Sequence, residues 1–181
     1  GFEETDAEAV LVQRDVGGAS TGVVTHHMDD VLAGGPGDGG KVALNLLKGE
    51  LKCGSVTELG RSGKLTYIGL ELERDGDQID VHQSIYLQGL KVDGGDRSAR
   101  KKVVSAVDIR QPEDGEVDLA LMSVYRAMVG CLGWACNTRP RDRVWHDELC
   151  RWGHKPTARH LQAAAMVLQS MQQSNERLVL R

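Results

Sequence analysis

Hydrophobic and polar positions near the start of the chain follow the pattern of a β-hairpin. Two short apolar runs, Val23-Val24 and Val31-Leu32-Ala33, flank the polar sequence HHMDD at residues 26–30, and a glycine-rich segment follows the second run. Apolar runs on both sides of a polar centre are typical of two antiparallel strands joined by a turn. We therefore predict a first hairpin with Asp29 and Asp30 at or near its turn.

The spacing of apolar residues then changes from that of strands to that of a helix and back. Segment 41–53 predicts an amphipathic helix lying on a sheet and ending before Gly54. Its apolar positions are Ala43, Leu46, Leu47 and Leu51. Segment 64–83 predicts a second hairpin, with one apolar strand, the polar turn RDGD and a second strand in which Ile79 and Val81 alternate with polar residues. A short helix is expected around SIYLQGL, which follows directly.

The last third of the chain has the periodicity of helices. A first helix is predicted to end before Arg139-Pro140, a second covers residues 143–152, and a third begins at Thr157 as N-cap. Apolar residues of the first helix lie at Leu119, Met122, Tyr125, Val129, Leu132 and Cys136, and those of the third lie at Leu161, Ala164, Ala165, Leu168 and Met171. The final RLVLR is a strand-like fragment that needs a partner elsewhere. The predicted fold class is α+β.

Composition narrows the class of protein. The chain has 181 residues and a formal net charge of -4, which argues against a nucleic-acid binder that acts alone. No apolar run approaches the length of a membrane span, and the acidic first residues are unlike a secretory signal, so we expect neither membrane insertion nor secretion. The four cysteines form no CxxC pair, which favours a reducing compartment. A first residue of glycine suggests a processed product or a piece of a longer polypeptide.

Two adjacent carboxylates at a turn raise a chemical question. Neighbouring side chains of a strand point to opposite faces, so Asp29 and Asp30 can approach one site only at a turn. Like charges held together are costly unless a cation offsets them. Mg²⁺ accepts carboxylate and phosphate oxygens, and two such ions can clamp both oxygens of a phosphoryl transfer. The alternative interpretation is that both aspartates are merely polar residues of an exposed turn.

Five ordered blocks of the sequence together resemble the reverse transcriptase of copia-type LTR retrotransposons. VVTHHMDDVLAGG is similar to the catalytic hairpin of that family's palm, and YRAMVGCLGWACNTRPR is similar to its later helical block. GFEETDAEAVLVQRD precedes the hairpin as in the family, segment 51–90 follows the family pattern, and KPTARHLQAAAMVLQSMQQSNERLVLR resembles the stretch that leads into the ribonuclease H domain. The resemblance runs nearly from end to end.

The resemblance implies an incomplete palm of antiparallel hairpins with a packed helix, followed by a helical thumb and connection. It divides the chain into palm at residues 1–90, a linker or surface loop at 91–118, and thumb and connection at 119–181. The ribonuclease H domain that would follow is absent.

The resemblance also assigns roles to residues. Asp29 would be the main metal ligand and Asp30 a supporting one, with Mg²⁺ or Mn²⁺ as the cofactor of a two-metal nucleotidyl transfer. The nucleotide or primer would be positioned by His27, Met28, Tyr67 and Gly69. The nucleic-acid backbone would be contacted by Arg139, Arg141 and Arg143.

The implied partners are an RNA template, a DNA primer and deoxynucleoside triphosphates. The rest of the Pol polyprotein would also be a partner, namely the fingers and upstream palm, the ribonuclease H domain and the integrase. The implied location is the cytoplasm, in a virus-like particle, with the nucleus as the other compartment.

Two departures from the family bear on activity. His27 stands where the family has an aromatic residue, and TRPR at residues 138–141 replaces TRPD. Such polymerases also need an aspartate from an earlier palm strand, which lies upstream of anything present in this chain. We therefore expect the chain to be inactive alone, as a fragment of the polymerase. The alternative is a silent remnant of a decayed element that at most binds nucleic acid or a partner.

Three further groups of residues have a functional and a structural interpretation. His146, Cys150, His154 and His160 have a spacing that could present zinc ligands, although packing or surface placement is the simpler interpretation. Lys48 and Lys52 could reach a triphosphate, or be solvated charges. Arg97, Arg100, Lys101 and Lys102 could contact phosphates, or form a solvated run.

Overall fold

The computed structural model describes residues 2–4, 10–91 and 104–180. The chain divides into two compact units. Unit 1 consists of Gly1–Gly60 with Leu65–Ile68, and unit 2 consists of Arg61–Lys64 with Gly69–Arg181. This division differs from the expected segments 1–90, 91–118 and 119–181. The basic residues Arg97, Arg100, Lys101 and Lys102 lie outside the described residues.

Unit 1 contains an antiparallel sheet in which consecutive strands are neighbours. Its strands are β1 (Phe2–Glu4), β2 (Val10–Arg14), β3 (Ser20–His27) and β4 (Asp30–Gly34), in the order β1-β2-β3-β4. Helix α1 (Gly39–Glu50) packs against β3 and β4. Ala43 of the helix is 1% exposed and Val24 of β3 is 5% exposed, so these two side chains form the small core of the unit. The predicted first hairpin and the helix on the sheet are therefore confirmed.

The glycine-rich segment after β4 has a steric reason. A Cβ atom at Gly39 would overlap the carbonyl oxygen of Thr21, and one at Gly35 would lie 2.6 Å from the same oxygen. Only glycine lets the chain pass this close to β3 and enter α1.

Helix α1 is shorter than its apolar pattern predicts. It ends at Glu50 rather than at Cys53, and Leu51 is extended. Of the four expected apolar contacts, Ala43 is buried and Leu47 is half-buried, whereas Leu46 and Leu51 are 56% and 58% exposed. The helix therefore buries a narrower stripe than predicted.

A second antiparallel sheet belongs to unit 2, except for the last residues of its first strand, 65–67, which belong to unit 1. Its strands are β5 (Ser62–Tyr67), β6 (Leu70–Asp75), β7 (Gln78–His82) and β8 (Leu178–Leu180), in the order β5-β6-β7-β8. Residues 64–73 are not the single strand that we expected, because the chain turns at Ile68 and Gly69, between β5 and β6. The predicted turn after Asp75 is confirmed, and the C-terminal strand finds its partner in β7.

The helices of unit 2 pack around one buried core. They are α2 (Ser84–Gly89), α3 (Met122–Ala135), α4 (Arg143–Cys150) and α5 (Ala158–Gln173), with single 3-10 turns at Leu119–Leu121 and Pro140–Asp142. Core side chains at 2% exposure or less include Tyr125, Leu132, Leu149, Leu168 and Met171. The predicted helices are confirmed, and the predicted N-cap Thr157 accepts a 3.1 Å hydrogen bond from the backbone N–H of His160.

The segment expected to be a linker is partly built into this core. Val104 and Ile109 are buried among the helices. The indole Nε1 of Trp152 donates to the carbonyl of Ile109 at 2.8 Å, and the guanidinium of Arg159 donates to the carbonyl of Val107 at 2.9 Å. Residues 104–116 therefore belong to the packed part of unit 2, while residues 92–103 lie outside the described residues.

Candidate functional site

The β3–β4 hairpin ends in a turn of two residues. Strand β3 ends at His27, β4 begins at Asp30, and Met28 and Asp29 form the turn between them. Met28 has a φ of 54°, in the left-handed region, and Asp29 is not among the residues with positive φ. A positive φ at the first turn residue alone is the signature of a type II′ turn, which matches the twist of the flanking strands. The expectation that the aspartates lie at or next to the turn is therefore confirmed.

The sheet register shows which side chains share a face. His27 lies directly opposite Asp30. Two residues further along each strand, and on the same face, Thr25 lies opposite Leu32. His26 and Val31 form the intervening pair and belong to the other face. Asp29 belongs to neither strand, because it is in the turn. The adjacent aspartates are thus separated into one turn residue and one strand residue.

The face that carries His27 and Asp30 is not the face that α1 covers. Buried Val24 lies opposite Ala33, and both belong to the face that packs on the helix. Val23 of the other face is 39% exposed. Within unit 1, the hairpin therefore presents a partly apolar surface that leads to His27 and Asp30 at its tip.

The tip is open to solvent and its charges are uncompensated. His27, Met28, Asp29 and Asp30 are all exposed, with Met28 at 86%. No hydrogen bond or ion pair involves either carboxylate among the described residues. The same part of the chain contains no group of three or more His, Cys, Asp or Glu side chains arranged to hold a metal ion. The oxygen donors suit a hard cation, but two carboxylates alone make a weak site.

A second turn of the same length carries two other predicted residues. Tyr67 ends β5 and is half-buried, and Gly69 is exposed in the turn to β6. Ile68 and Gly69 have φ values of 46° and 80°, which fits a type I′ turn. A Cβ atom at Gly69 would lie 3.9 Å from the indole of Trp134, so this turn lies beside an aromatic side chain of α3.

The three predicted backbone-contact arginines differ in their surroundings. Arg139 is 2% exposed, and its Nη2 donates to the carbonyl of Ser174 at 3.0 Å. Its Nε and Nη1 are buried without a hydrogen-bond partner. In this conformation Arg139 offers no surface to a phosphate. Arg141 and Arg143 are exposed and form ion pairs with Glu176 and Asp147, respectively.

The residues considered as zinc ligands do not converge. Cys150 Sγ lies 3.3 Å from His146 Nε2, whose ring contacts Asp147 through Nδ1 at 3.0 Å. Burial raises the pKa of the Cys150 thiol, which disfavours the thiolate that metals bind. His154 is exposed on the segment after α4.

His160 has a structural role. It is fully buried, stacks on Trp152 with ring centroids 5.5 Å apart, and donates from Nε2 to the carbonyl of Arg110 at 2.9 Å. Burial lowers its pKa. The ring is therefore held neutral and bonded, and it is not presented to a metal.

Sequence reasoning missed an ion network on the second sheet. Glu73 of β6 lies 2.7 Å from Lys64 and 2.9 Å from Arg177, and buried His82 lies 3.2 Å from it. The hydrogen bond from Lys64 is the main reason that the pKa of Glu73 falls to about 2. Alternating acidic residues in ELER are a weak sequence signal for such a cross-strand network, and here the carboxylates are already paired with cations. Lys48 and Lys52, which could have reached a triphosphate, are exposed, as expected of solvated charges.

Comparison with protein-family models, with curated proteins and with solved structures gives no match. In the parts of the chain that the structure describes, none of the helices combines the length and the apolar character needed to cross a membrane.

Proposed function

We propose that this chain is part of the palm and thumb of an RNA-directed DNA polymerase from a copia-type LTR retrotransposon. Asp29 and Asp30 would contribute carboxylates to a nucleotidyl transfer that uses two metal ions. The observation that carries the proposal is the tip of the β3–β4 hairpin, where both carboxylates are exposed and no cation of the described residues pairs with them.

The contrast with other acidic residues supports this role. Glu73, Asp147 and Glu116 each pair with an arginine or a lysine. Asp29 and Asp30 have no such partner, which they share with other exposed acids such as Asp38 and Asp77, so what sets them apart is that two carboxylates stand at adjacent positions of one turn. Bound Mg²⁺ or Mn²⁺ supplies charge stabilisation and a template for the attacking and leaving oxygens. The chain's own part is to hold two oxygen donors at a tight turn.

The open face of the hairpin supports a role in holding the end of a primer. Asp30 and His27 lie at the end of the face that carries Val23, away from α1. Sugars and base edges present partly apolar surface, so a half-apolar strand face next to carboxylates suits a primer end better than a free metabolite. Met28 is 86% exposed at the tip and would meet the primer or the nucleotide.

Helix α3 offers a surface that suits a duplex. Ala127, Gly130 and Trp134 are exposed at helical spacing. Small side chains let a nucleic-acid backbone approach the helix, and an exposed indole can stack on a sugar or base. Arg141 and Arg143 follow in sequence and could contact phosphates. Each would have to give up an exposed ion pair, which contributes little to stability. These features support the proposed thumb role.

Two carboxylates do not complete a two-metal site, so the proposal requires a further aspartate from an upstream palm strand. The proposed partners are the remaining Pol segments, the RNA template, the DNA primer and deoxynucleoside triphosphates, with the cytoplasm as the proposed location. A silent remnant is the second candidate. The incomplete donor set and the histidine at position 27 favour it.

Primer extension on an RNA template tests the proposal. Three proteins are compared with Mg²⁺ and with Mn²⁺: this chain, the chain with its native upstream segment restored, and the restored form carrying Asp29→Asn. We expect extension only in the restored form and its loss on Asp29→Asn.

Asp77→Asn in the restored form is the matched control. Asp77 is also the exposed second residue of a two-residue turn, between β6 and β7, and is expected to tolerate the change. No extension by any form would favour the silent remnant, and equal loss in both variants would contradict a specific role of Asp29.

A further inference from the structure

Helix α4 carries a thiol, an imidazole and a carboxylate in contact with one another. Cys150 follows His146 by one helical turn, and its Sγ lies 3.3 Å from Nε2 of the ring and 3.9 Å from Nδ1. Nδ1 of His146 lies 3.0 Å from Oδ1 of Asp147. Cys150 is exposed, so this cluster lies at the surface of unit 2 and outside its buried core.

The contacts fix which nitrogen of His146 accepts a proton. A carboxylate accepts hydrogen bonds, so Nδ1 donates to Asp147 and the lone pair of Nε2 faces the thiol. Arg143 donates from Nε to the same carboxylate oxygen at 3.0 Å. The hydrogen bond from His146 is the main reason that the pKa of Asp147 is lowered. A thiol, a base that can take its proton and a carboxylate that fixes the base are therefore present together.

The imidazole is also held by the neighbouring helix. The side chain of His146 is 13% exposed, and a Cβ atom at Gly133 of α3 would lie 2.7 Å from its Nε2. Any other residue at position 133 would push the ring away from its place beside the thiol. Glycine here leaves the space that the ring occupies.

The thiol opens onto a cavity of about 390 Å³. Its lining includes Cys150, Tyr125, Arg126 and Val129. Arg126 donates from Nε to the carbonyl of Gly153 at 2.8 Å, which fixes its guanidinium at the cavity, and no carboxylate of the described residues pairs with it. The cavity therefore offers a nucleophile, an apolar wall and a positive charge to a small molecule with an anionic group.

The chemistry of this arrangement is that of acyl transfer. Burial raises the pKa of the Cys150 thiol, so at neutral pH the sulfur keeps its proton and attack requires a base beside it. Sγ forms a bond to the carbonyl carbon of an acyl donor, and the bond from that carbon to the leaving oxygen breaks. The proton passes from Sγ to Nε2 of His146 and on to the leaving group.

We propose that Cys150 is an acylation site at which His146 is the general base and Arg126 selects acyl donors that carry a negative charge, such as an acyl phosphate. The proposal does not rest on the polymerase function. It goes beyond that function by assigning covalent chemistry to side chains of unit 2 that a polymerase does not use.

Acetylation of the purified full chain by acetyl phosphate at neutral pH, mapped by mass spectrometry of its peptides, tests the proposal. Cys53 is the internal control, because it is also exposed and contacts no histidine among the described residues. We expect Cys150 to be acetylated at least about tenfold faster than Cys53, and His146→Gln to remove this advantage. Equal rates at the two cysteines of the unmodified chain, or an unchanged rate in His146→Gln, would overturn the proposal.

A second donor isolates the role of the charge. p-Nitrophenyl acetate delivers the same acetyl group from a neutral molecule. Arg126→Leu is expected to slow acetylation of Cys150 by acetyl phosphate several-fold and to leave the reaction with p-nitrophenyl acetate unchanged. Arg151→Leu is the matched control, since Arg151 is an exposed arginine paired with Glu148 and does not line the cavity. Equal slowing in both variants, or with both donors, would contradict the selection by Arg126.

A measurement on the unmodified chain guards against a variant that folds poorly. Transfer of the thiol proton to His146 during the attack slows the reaction in deuterium oxide, whereas attack by a thiolate formed beforehand involves no such transfer. We expect p-nitrophenyl acetate to acetylate Cys150 more slowly in deuterium oxide than in water. Equal rates in the two solvents would contradict the role of His146 as a general base.

Discussion

The helical core of unit 2 and the hairpin of unit 1 differ in how they treat polar groups. In unit 2 the hydroxyl of Tyr125 donates to the carbonyl of Leu149 at 2.6 Å, and His160 is bonded and stacked, with all three residues fully buried. In unit 1 the side chains that could take part in chemistry, Asp29 and Asp30, have no partner among the described residues. A stable fold satisfies most of its buried polar groups, although Nε and Nη1 of Arg139 and Nδ1 of His160 have no partner in unit 2; the unpaired carboxylates of the hairpin differ in that they face solvent, where a ligand can reach them. Stability and candidate chemistry are thus carried by different regions.

The largest expected effect comes from the core of unit 2. Leu132 is fully buried among helices, so Leu132→Ala removes apolar contacts and leaves a cavity. We expect a loss of about 2–5 kcal/mol in the free energy of unfolding, measured by chemical denaturation. Leu46→Ala on α1 is the matched control, because that leucine is 56% exposed, and its expected change is below about 0.5 kcal/mol. Similar losses in both variants would remove the contrast between a packed core and an open surface.

A pH dependence of stability is expected from buried His160 in the core of unit 2. Burial lowers the pKa of His160 below the ordinary value of 6.5, so below that pH the unfolded chain binds a proton that the folded chain does not. The free energy of unfolding is therefore expected to fall as the pH falls from 6.5 towards the folded pKa, with a slope of at most about 1.4 kcal/mol per pH unit.

Two variants assign that pH dependence. His160→Gln should remove this part of the slope in denaturation curves between neutral and mildly acidic pH, at some cost in stability at neutral pH. His154→Gln changes an exposed histidine of the same unit and should leave the slope unchanged. A slope that persists in His160→Gln would contradict the assignment.

The turn at the tip of the first hairpin carries local strain. Met28 adopts a φ of 54°, which is an unfavourable backbone conformation for a residue with a side chain. Because the side chain is 86% exposed, it makes few packing contacts that could offset this cost. Met28→Gly is expected to raise the free energy of unfolding of unit 1 by about 0.5–1 kcal/mol. Val16→Gly, at an exposed residue without positive φ, is expected to be neutral or destabilising in the same denaturation experiment. Equal effects would show that the turn is unstrained.

What the sequence predicted depends on whether the cause is local. The N-cap at Thr157 and the turn at Asp75-Gly76 were correct because caps and glycine turns are fixed by neighbouring residues. The turn at Ile68 was missed because a β-branched residue rarely adopts a positive φ. The early end of α1 was missed because an exposed Leu51 has the same spacing as a buried one.

At the candidate site the same limit holds. The position of the aspartate pair in a hairpin followed from the apolar runs on either side. The burial of Arg139 did not, because it depends on Ser174, which is distant in sequence and close only in the folded unit. Which of the two aspartates faces His27 also required the register, since a shift of one residue would exchange the faces.

The smallest expected change in stability tests the comparison most sharply. Asp29 neighbours a like charge and has no partner among the described residues, so removing its charge breaks no stabilising interaction. Asp29→Asn is expected to leave the free energy of unfolding unchanged or to raise it by a few tenths, about 0.5 kcal/mol at most. Denaturation in the absence of divalent cations measures this, and Asp77→Asn at the matched turn should behave alike.

Added Mn²⁺ should then stabilise the unmodified chain and Asp77→Asn more than Asp29→Asn, because a ligand that binds only the folded state stabilises it. A clear destabilisation by Asp29→Asn without metal would instead make Asp29 a structural residue of the turn, and the hairpin would no longer differ from the core.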